Sequence, residues 1–245
     1  MQIAMIGLGK MGGNMVRRLL AGGHQVVGWD RDANVVAELA KEGMTPASSL
    51  ADVAGKLSPP RAVWVMVPSG GQTDATIQDL KGVLAENDIL IDGGNSNYKD
   101  SVRHAKELAE KKIRFLDAGT SGGVWGRENG YALMVGGDES AYQHVLPALT
   151  TLAPTDGLDD FGAAGAGHYV KMVHNGVEYA MMQAYAEGFE LLKYCDYKFD
   201  LRKVTKVWNH GSVVRSWLCE LPERAFHQAP ELSTLSNESS HRVAC

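Results

Sequence analysis

The stretch Gln2-Ile-Ala-Met-Ile6 runs directly into Gly7-Leu-Gly-Lys-Met-Gly12, and this junction decides the fold of the chain. The first segment is a short apolar run typical of a buried strand, and Val16, Leu19 and Leu20 follow the glycines at helical spacing. A strand, a G-x-G-x-x-G turn and a helix in this order are typical of a Rossmann-type phosphate-binding turn. In such a turn the glycines permit the bend, the approach of backbone to a pyrophosphate, and the packing of helix on strand.

A second strand is predicted over Gln25–Trp29, and Asp30 follows it. This acid lies where a Rossmann fold places the acceptor for the ribose hydroxyls of a dinucleotide. Its carboxylate would also repel a 2′-phosphate, which favours NAD over NADP. Arg31 leaves NADP open, because its guanidinium could pair with that phosphate, stack on adenine or stay solvated. NAD is therefore the preferred cofactor and NADP the alternative.

Strands and helices alternate through the next hundred residues, which predicts a mostly parallel, doubly wound sheet. Ligands of such sheets gather beyond the carboxyl ends of the strands. The glycine-rich stretches 68–71, 92–96 and 119–123 all follow predicted strands, so we expect them to converge on one crevice. The predicted strands are 62–67, 88–91, 113–116 and 131–135, and the predicted helices are 33–43, 73–84, 98–112 and 139–152.

Two of these stretches carry groups suited to a small substrate. Asn95 supplies an amide after two glycines, and Ser121-Gly-Gly123 offers a hydroxyl and unhindered backbone N–H groups. Each alone is ordinary turn chemistry, since glycine, asparagine and serine favour turns. Both at neighbouring strand ends indicate a site.

A helix predicted over 168–194 places Lys171, His174, Asn175 and Glu178 on one stripe, at spacings of three, four and seven residues. An isolated stripe of this kind is usually a solvated face. Next to a nucleotide-binding sheet it is instead a candidate for proton transfer. The sequence predicts a dinucleotide-binding domain over residues 1–161, a helical domain over 162–221 and a polar tail over 222–245. A second long helix is predicted within the helical domain, over 201–221.

The composition is that of an ordinary globular protein, with 44% hydrophobic and 22% charged residues and a net charge of −5. The acidic balance argues against nucleic acid or an anionic membrane as partner. We find no apolar run of the ~20 residues that a membrane span needs, and no secretory signal pattern. The three cysteines lack metal-ligand spacing. We therefore expect a cytoplasmic protein without a metal site.

Four motifs make the chain resemble the decarboxylating 6-phosphogluconate dehydrogenases, of the shorter, single-repeat kind, within the β-hydroxyacid dehydrogenase superfamily. The resemblance covers roughly residues 1–220. The wider superfamily generally lacks the Gly-Gly-Asn loop and the His-Asn-Gly-x-Glu-Tyr part of the last motif, which is therefore the most specific. The motifs are Gly7-Leu-Gly-Lys-Met-Gly12, Asp92-Gly-Gly-Asn-Ser96, Thr120-Ser-Gly-Gly123 and Lys171-Met-Val-His-Asn-Gly-Val-Glu-Tyr179.

The resemblance implies oxidation and decarboxylation of 6-phosphogluconate, with Lys171 as general base, Glu178 as general acid and Asn175 assisting. It also implies a homodimer, because family members bury the apolar surface of the helical domain between subunits. The implied substrate contacts are Asn95, Ser121, Gly122, Gly123, His174, Asn175 and Tyr179. The implied cofactor contacts are Gly7, Leu8, Gly9, Lys10, Met11, Gly12, Asp30, Arg31, Val67, Pro68 and Asn95.

The chain departs from the family at its C-terminal end, which looks truncated or altered. We do not find the Gly-x-Gly-(Lys/Arg)-Trp-Thr segment with which family members hold the substrate phosphate. Two rival functions therefore stay open. One is a dehydrogenase for a non-phosphorylated 3-hydroxy acid, and the other is a nucleotide-binding remnant with impaired catalysis.

Overall fold

The computed structural model describes residues 1–228, which divide into two compact units, 1–172 and 173–228. A single helix, α8 (Ala166–Tyr194), runs through the point of division. Within residues 1–228 no helix is both long enough and apolar enough to cross a membrane.

The first unit alternates strands and helices, as the sequence predicts. Helix α7 has the predicted bounds, whereas the shortest strands and helices were not predicted because they carry too few residues to show a period. The strands are β1 (Gln2–Ile6), β2 (Gln25–Trp29), β3 (Thr45–Pro46), β4 (Ala62–Val65), β5 (Ile89–Asp92), β6 (Arg114–Ser121), β7 (Ala132–Gly137) and β8 (Leu158–Asp160). The helices are α1 (Lys10–Ala21), α2 (Ala33–Lys41), α3 (Leu50–Gly55), α4 (Gly71–Val83), α5 (Tyr98–Ala109), α6 (Gly126–Asn129) and α7 (Glu139–Leu152).

The eight strands form one sheet in the order β3-β2-β1-β4-β5-β6-β7-β8. All neighbours are parallel except β6 and β7, so the predicted doubly wound, mostly parallel Rossmann-type sheet is confirmed. The strand order reverses direction between β1 and β4. In open sheets of this kind, such a switch point opens a crevice at the carboxyl ends of the strands.

Both faces of the sheet are covered, as a parallel sheet requires. Successive side chains of β1 enter different cores: Ile3 and Met5 belong to one buried cluster, Ala4 and Ile6 to the other. Along β4, Trp64 belongs to the first cluster. The central strands are thus held from both sides, which fixes the positions of the loops at their ends.

The predicted domain boundary before residue 162 differs from the division of contacts, which falls after Met172. The reason is that the start of α8 packs on the sheet. A Cβ atom added to Gly167 would lie 2.7 Å from the carbonyl oxygen of Asp117 and would also collide with the carbonyl of Met134. The first turns of this helix therefore belong to the first unit.

The second unit contains the rest of α8 with α9 (Leu201–Asn209) and α10 (Trp217–Gln228). Its aromatic cluster centres on Phe189, whose ring stacks on Trp208 at 5.5 Å and meets Phe226 edge-on at 5.2 Å. These ring contacts join α8, α9 and α10.

Two predictions for this region are wrong. The helix predicted over 201–221 is two helices, because the chain leaves helical geometry after Asn209 and Gly211 takes a positive φ of 92°. The polar tail predicted from residue 222 is helical through Gln228, with Phe226 buried. The buried face of this helix begins at Cys219, before the predicted start of the tail, so residues 222–228 alone are too few to show an apolar period. The remaining tail, 229–245, lies outside the described residues.

Asp88 lies just before β5 and connects the amino ends of neighbouring strands. Its fully buried carboxylate accepts hydrogen bonds from the backbone N–H groups of Arg61 and Ala85, and pairs with the Arg61 guanidinium at 2.9 Å. Asp88→Asn is expected to lower the free energy of unfolding by about 2–4 kcal/mol, since it removes the buried charge that pairs with the partly buried Arg61 guanidinium and leaves a backbone N–H group without an acceptor. Urea denaturation measures this.

A surface pair serves as the control for that measurement. Glu86→Gln breaks the exposed pair between Glu86 and Lys112, and should cost less than about 1 kcal/mol. Equal effects of the two substitutions would contradict the role given to the buried carboxylate.

Candidate active site

The turn between β1 and α1 needs its glycines for close backbone contacts. Gly7 has a φ of 92°, and a Cβ atom there would collide with the carbonyl of Met66. A Cβ atom on Gly12 would collide with the carbonyl of Gly7, whereas one on Gly9 would meet no atom within 4 Å. Gly7 and Gly12 therefore fix the turn, and Gly9 leaves its outer side open to a ligand.

The N-terminus of α1 suits an anion. Among the described residues, no side chain caps it, and its first turn contains no acidic residue. Its first N–H groups and the positive end of its dipole thus remain available to a phosphate. A cavity of about 200 Å³ lies beside this turn. It is lined by Gly7, Gly9, Trp29, Asp30, Arg31, Met66, Val67, Pro68, Gln72 and Thr76. These residues fit a dinucleotide.

Asp30 lines this cavity and also holds the turn. One carboxylate oxygen accepts a hydrogen bond from the backbone N–H of Leu8 at 2.6 Å, and the other accepts one from Asp32 at 2.9 Å. Each carboxylate oxygen can accept a further bond, so a ribose hydroxyl can still be recognised. Arg31 is exposed beside it. The predicted contacts Lys10 and Met11 lie in the first turn of α1, on its exposed and half-buried sides.

Asn95 connects the loop that follows β5 to the carboxyl end of β6. Its side-chain amide donates to the carbonyl of Thr120 at 3.0 Å, and its side-chain oxygen accepts the Thr120 N–H at 2.7 Å. These two bonds were not predicted from the sequence. They place the predicted substrate loop, Ser121 to Gly123, next to the Gly-Gly-Asn loop. Gly122 and Gly123 both have positive φ, at 133° and 52°, a conformation that favours glycine. The backbone at these two positions therefore has no side chain over it.

Lys171 lies in the first unit, where α8 crosses the carboxyl end of β6. Only 5% of its surface is exposed. A Cβ atom on Gly119 would collide with the Cβ of Lys171 and would lie 3.1 Å from its Cγ. The absence of a side chain at Gly119 therefore makes room for the stem of the lysine.

The other predicted residues of the stripe lie on the part of α8 that belongs to the second unit. The His174 Nδ1 atom is 3.2 Å from the Asn175 side-chain oxygen and 3.7 Å from a Glu178 carboxylate oxygen. All three side chains are half-buried, and Tyr179 is exposed. An imidazole and a carboxylate one turn apart lie close enough on a helix to pair.

Sequence analysis assigned no functional role to Asp117 or His168. Both are buried, and the Asp117 carboxylate accepts hydrogen bonds from the backbone N–H groups of Gly165 at 2.6 Å and His168 at 2.7 Å. The His168 ring shares a hydrogen bond of 2.7 Å with Ser101. Burial, the largest influence, raises the pKa of Asp117. An acid inside an apolar strand is the signal that could have revealed it.

The part of the chain that the structure describes contains no cluster of metal-ligating side chains. Within residues 1–228, no three His, Cys, Asp or Glu side chains gather as a metal site would require. Cys195 and Cys219 are both free thiols.

Comparison with known families gives two matches. The NAD binding domain of 6-phosphogluconate dehydrogenase matches residues 2–162, and the C-terminal domain of 6-phosphogluconate dehydrogenase matches residues 167–195. A curated relative from Haloferax volcanii, named as an NAD(+)-dependent, decarboxylating 6-phosphogluconate dehydrogenase, is 48% identical over 98% of this chain and 79% of its own length. A putative 6-phosphogluconate dehydrogenase of Bacillus subtilis is 46% identical, over 96% and 79%.

Solved structures agree with these matches. The 6-phosphogluconate dehydrogenase of Plasmodium falciparum has a TM-score of 0.85 and 30% identity, over 91% of this chain and 50% of that one. The 3-hydroxyisobutyrate dehydrogenase of Mycobacterium tuberculosis has a TM-score of 0.76 and 29% identity, over 89% and 72%.

Asp30 both holds the glycine turn and lines the cavity, and this predicts the effect of removing its carboxylate. Asp30→Ala should weaken NAD binding by about 10- to 100-fold, since charge-assisted hydrogen bonds contribute about 1.5–3 kcal/mol. Fluorescence titration with NADH measures the dissociation constant. Asp32→Ala is the matched control, because Asp32 caps α2 through Asn34 and does not line the cavity. Comparable weakening by both variants would rule out a specific role for Asp30.

Proposed function

Because this chain belongs to the 6-phosphogluconate dehydrogenase family, we propose that it oxidises and decarboxylates 6-phosphogluconate to ribulose 5-phosphate and carbon dioxide. The hydride acceptor is NAD in preference to NADP. The observation that best supports this proposal is the burial of Lys171 at the carboxyl end of β6, in the same unit as the nucleotide-binding turn. The name of the Haloferax volcanii relative supports the cofactor and the loss of carbon dioxide.

The reaction begins with a proton transfer to Lys171. Its neutral amine takes the proton of the substrate 3-hydroxyl, and the electrons of the C3–H bond leave as hydride. NAD, when bound, supplies the acceptor for that hydride. A lysine seated on a strand is well suited to this step, because general-base catalysis depends on a fixed distance to the proton.

Loss of carbon dioxide follows from the new ketone at C3. The electrons of the breaking carbon–carbon bond move toward the carbonyl oxygen, and the protonated Lys171 stabilises the resulting negative charge. Glu178 then delivers a proton to C1 of the enediol, which gives ribulose 5-phosphate. The His174 Nδ1 atom lies 3.7 Å from the Glu178 carboxylate, one helical turn away.

The remaining polar groups hold the substrate. An amide carries two N–H donors, so the bond from Asn95 to Thr120 leaves a second donor for a ligand. Ser121, Gly122 and Gly123 offer a hydroxyl and backbone N–H groups. On α8, Asn175 and His174 serve as hydrogen-bonding groups and Tyr179 as the phosphate contact.

A substrate panel tests the assignment. Absorbance at 340 nm is expected to rise with 6-phosphogluconate, faster with NAD than with NADP, and far less with 3-hydroxyisobutyrate. Turnover of the unphosphorylated acid alone would favour the rival dehydrogenase, which the likeness to 3-hydroxyisobutyrate dehydrogenase makes the second candidate. Cofactor binding without any turnover would identify a remnant with impaired catalysis.

Two variants test the roles of the proposed base and acid. Lys171→Met and Glu178→Gln should each lower kcat by about 100- to 10,000-fold, which is the contribution of general acid–base catalysis. Their dissociation constants for NADH should stay within about threefold of the parent value, since neither residue lines the nucleotide cavity.

The same helix provides matched controls. Lys193→Met and Glu187→Gln remove the same charges from exposed positions of α8, and should leave kcat within about twofold. Ordinary turnover by Lys171→Met would exclude that lysine as the base.

A further inference from the structure

We propose that Asp117 is a positioning residue, whose buried carboxylate holds the start of α8 so that Lys171 stays seated over Gly119. This inference rests on the proposed function, in which Lys171 is the base. Asp117 itself does not touch the reacting atoms. It acts through the helix.

The first observation is a helix cap supplied from the sheet. Helices leave their first N–H groups without partners, and a side chain just before the helix usually accepts one of them. Here both acceptors come from β6 instead: one Asp117 oxygen binds the N–H of Gly165 at 2.6 Å, and the other binds the N–H of His168 at 2.7 Å. The negative charge also lies at the positive end of the helix dipole. The start of α8 is thus tied to one residue of a central strand.

The second observation is the backbone contact that sets the distance between helix and sheet. Three glycines meet there. A Cβ atom on Gly136 would lie 2.7 Å from the Gly167 nitrogen, and one on Gly119 would lie 3.0 Å from the Gly167 carbonyl oxygen. The helix therefore rests on the strand backbones with no side chain between them, which leaves it little room to slide.

These two constraints meet at Lys171. This residue follows His168 by three positions, so the next turn of the helix brings its stem onto Gly119, two residues beyond Asp117 on the same strand. The stem that carries the amine is consequently seated on a strand of the sheet. Misplacing a reacting group by about 1 Å can cost roughly 100-fold in rate, which gives the cap a catalytic consequence.

The position is costly for stability. Asp117 is fully buried, and Asp92, its partner in register on β5, is also a fully buried acid. The raised pKa of Asp117 reflects this burial. An apolar residue at this point of β6 would avoid the cost of a buried charge. The two hydrogen bonds that Asp117 accepts at the start of α8 are the benefit that the structure shows.

The test compares Asp117→Asn with two other variants. An asparagine side chain keeps one acceptor oxygen, but its NH2 group takes the place of the other oxygen. It can therefore accept from only one of the two N–H groups of Gly165 and His168, and the other bond is lost. Gly119→Ala disturbs the seat of Lys171 directly and leaves Asp117 intact. Asp88→Asn is the matched control: it also neutralises a fully buried acid of the first unit, but at the amino end of β5.

Three measurements are made on the full chain: kcat with the NADH dissociation constant, the melting temperature, and the rate at which Lys171 is acetylated by acetic anhydride, read by mass spectrometry. For Asp117→Asn and Gly119→Ala we expect kcat to fall by about 10- to 100-fold, NADH binding to stay within about threefold, and acetylation of Lys171 to quicken by about fivefold or more. Asp88→Asn should lower the melting temperature without changing kcat or acetylation.

The acetylation rate needs no turnover, so it separates this inference from the proposed function. If the parent chain does not oxidise 6-phosphogluconate, the proposed function fails, and the acetylation comparison still decides whether Asp117 seats Lys171. An unchanged acetylation rate in Asp117→Asn would overturn the inference. So would an equal increase in Asp88→Asn, because the effect would then come from general loss of stability.

Discussion

The arrangement of loops and helices at the carboxyl edge of the sheet depends on close contact between the first turns of two helices and the strand backbones. Gly7 and Gly12 allow it for α1, and Gly119 and Gly167 allow it for α8. The two starts differ in how their N–H groups are used. That of α1 has no side-chain cap among the described residues and is open to a phosphate, whereas that of α8 is closed by a carboxylate from the sheet. The first start suits a phosphate, and in the inference drawn above the second holds the helix that carries Lys171.

Local patterns predicted the fold where the period was long enough. The strand and glycine turn at Gln2–Gly12, the helix Glu139–Leu152 and the alternation between them led to the observed sheet. The pattern failed after Asn209, because a positive φ at Gly211 ends a helix that the apolar spacing would continue. It failed again at residue 222, where Phe226 and Cys219 carry the buried face of α10.

The site was predicted as a set of residues, but the contacts that hold them were not. Asn95 and Thr120 are 25 residues apart, and Asp117 and Gly165 are 48 apart, so no local period connects them. Asn95 was assigned to ligands from its place after two glycines and from the family resemblance, whereas the structure shows that it joins the loop after β5 to the end of β6. Such contacts depend on strand order and register, which a single sequence specifies only through the complete fold.

Placement by backbone also explains how one scaffold accommodates different substrates. In the inferred arrangement, Gly119 and the cap on α8 locate Lys171, and neither contact involves the residues proposed to read a substrate. Side chains around the cavity and on the exposed turns of α8 can then change without moving the amine. The likeness to 3-hydroxyisobutyrate dehydrogenase at a TM-score of 0.76 and 29% identity fits this separation, since a shared arrangement of strands does not fix the acid that is oxidised. Substrate choice therefore has to be argued from the groups that meet the substrate, and the proposed function assigns that role to the loop Ser121–Gly123 and to residues that follow Lys171 on its helix.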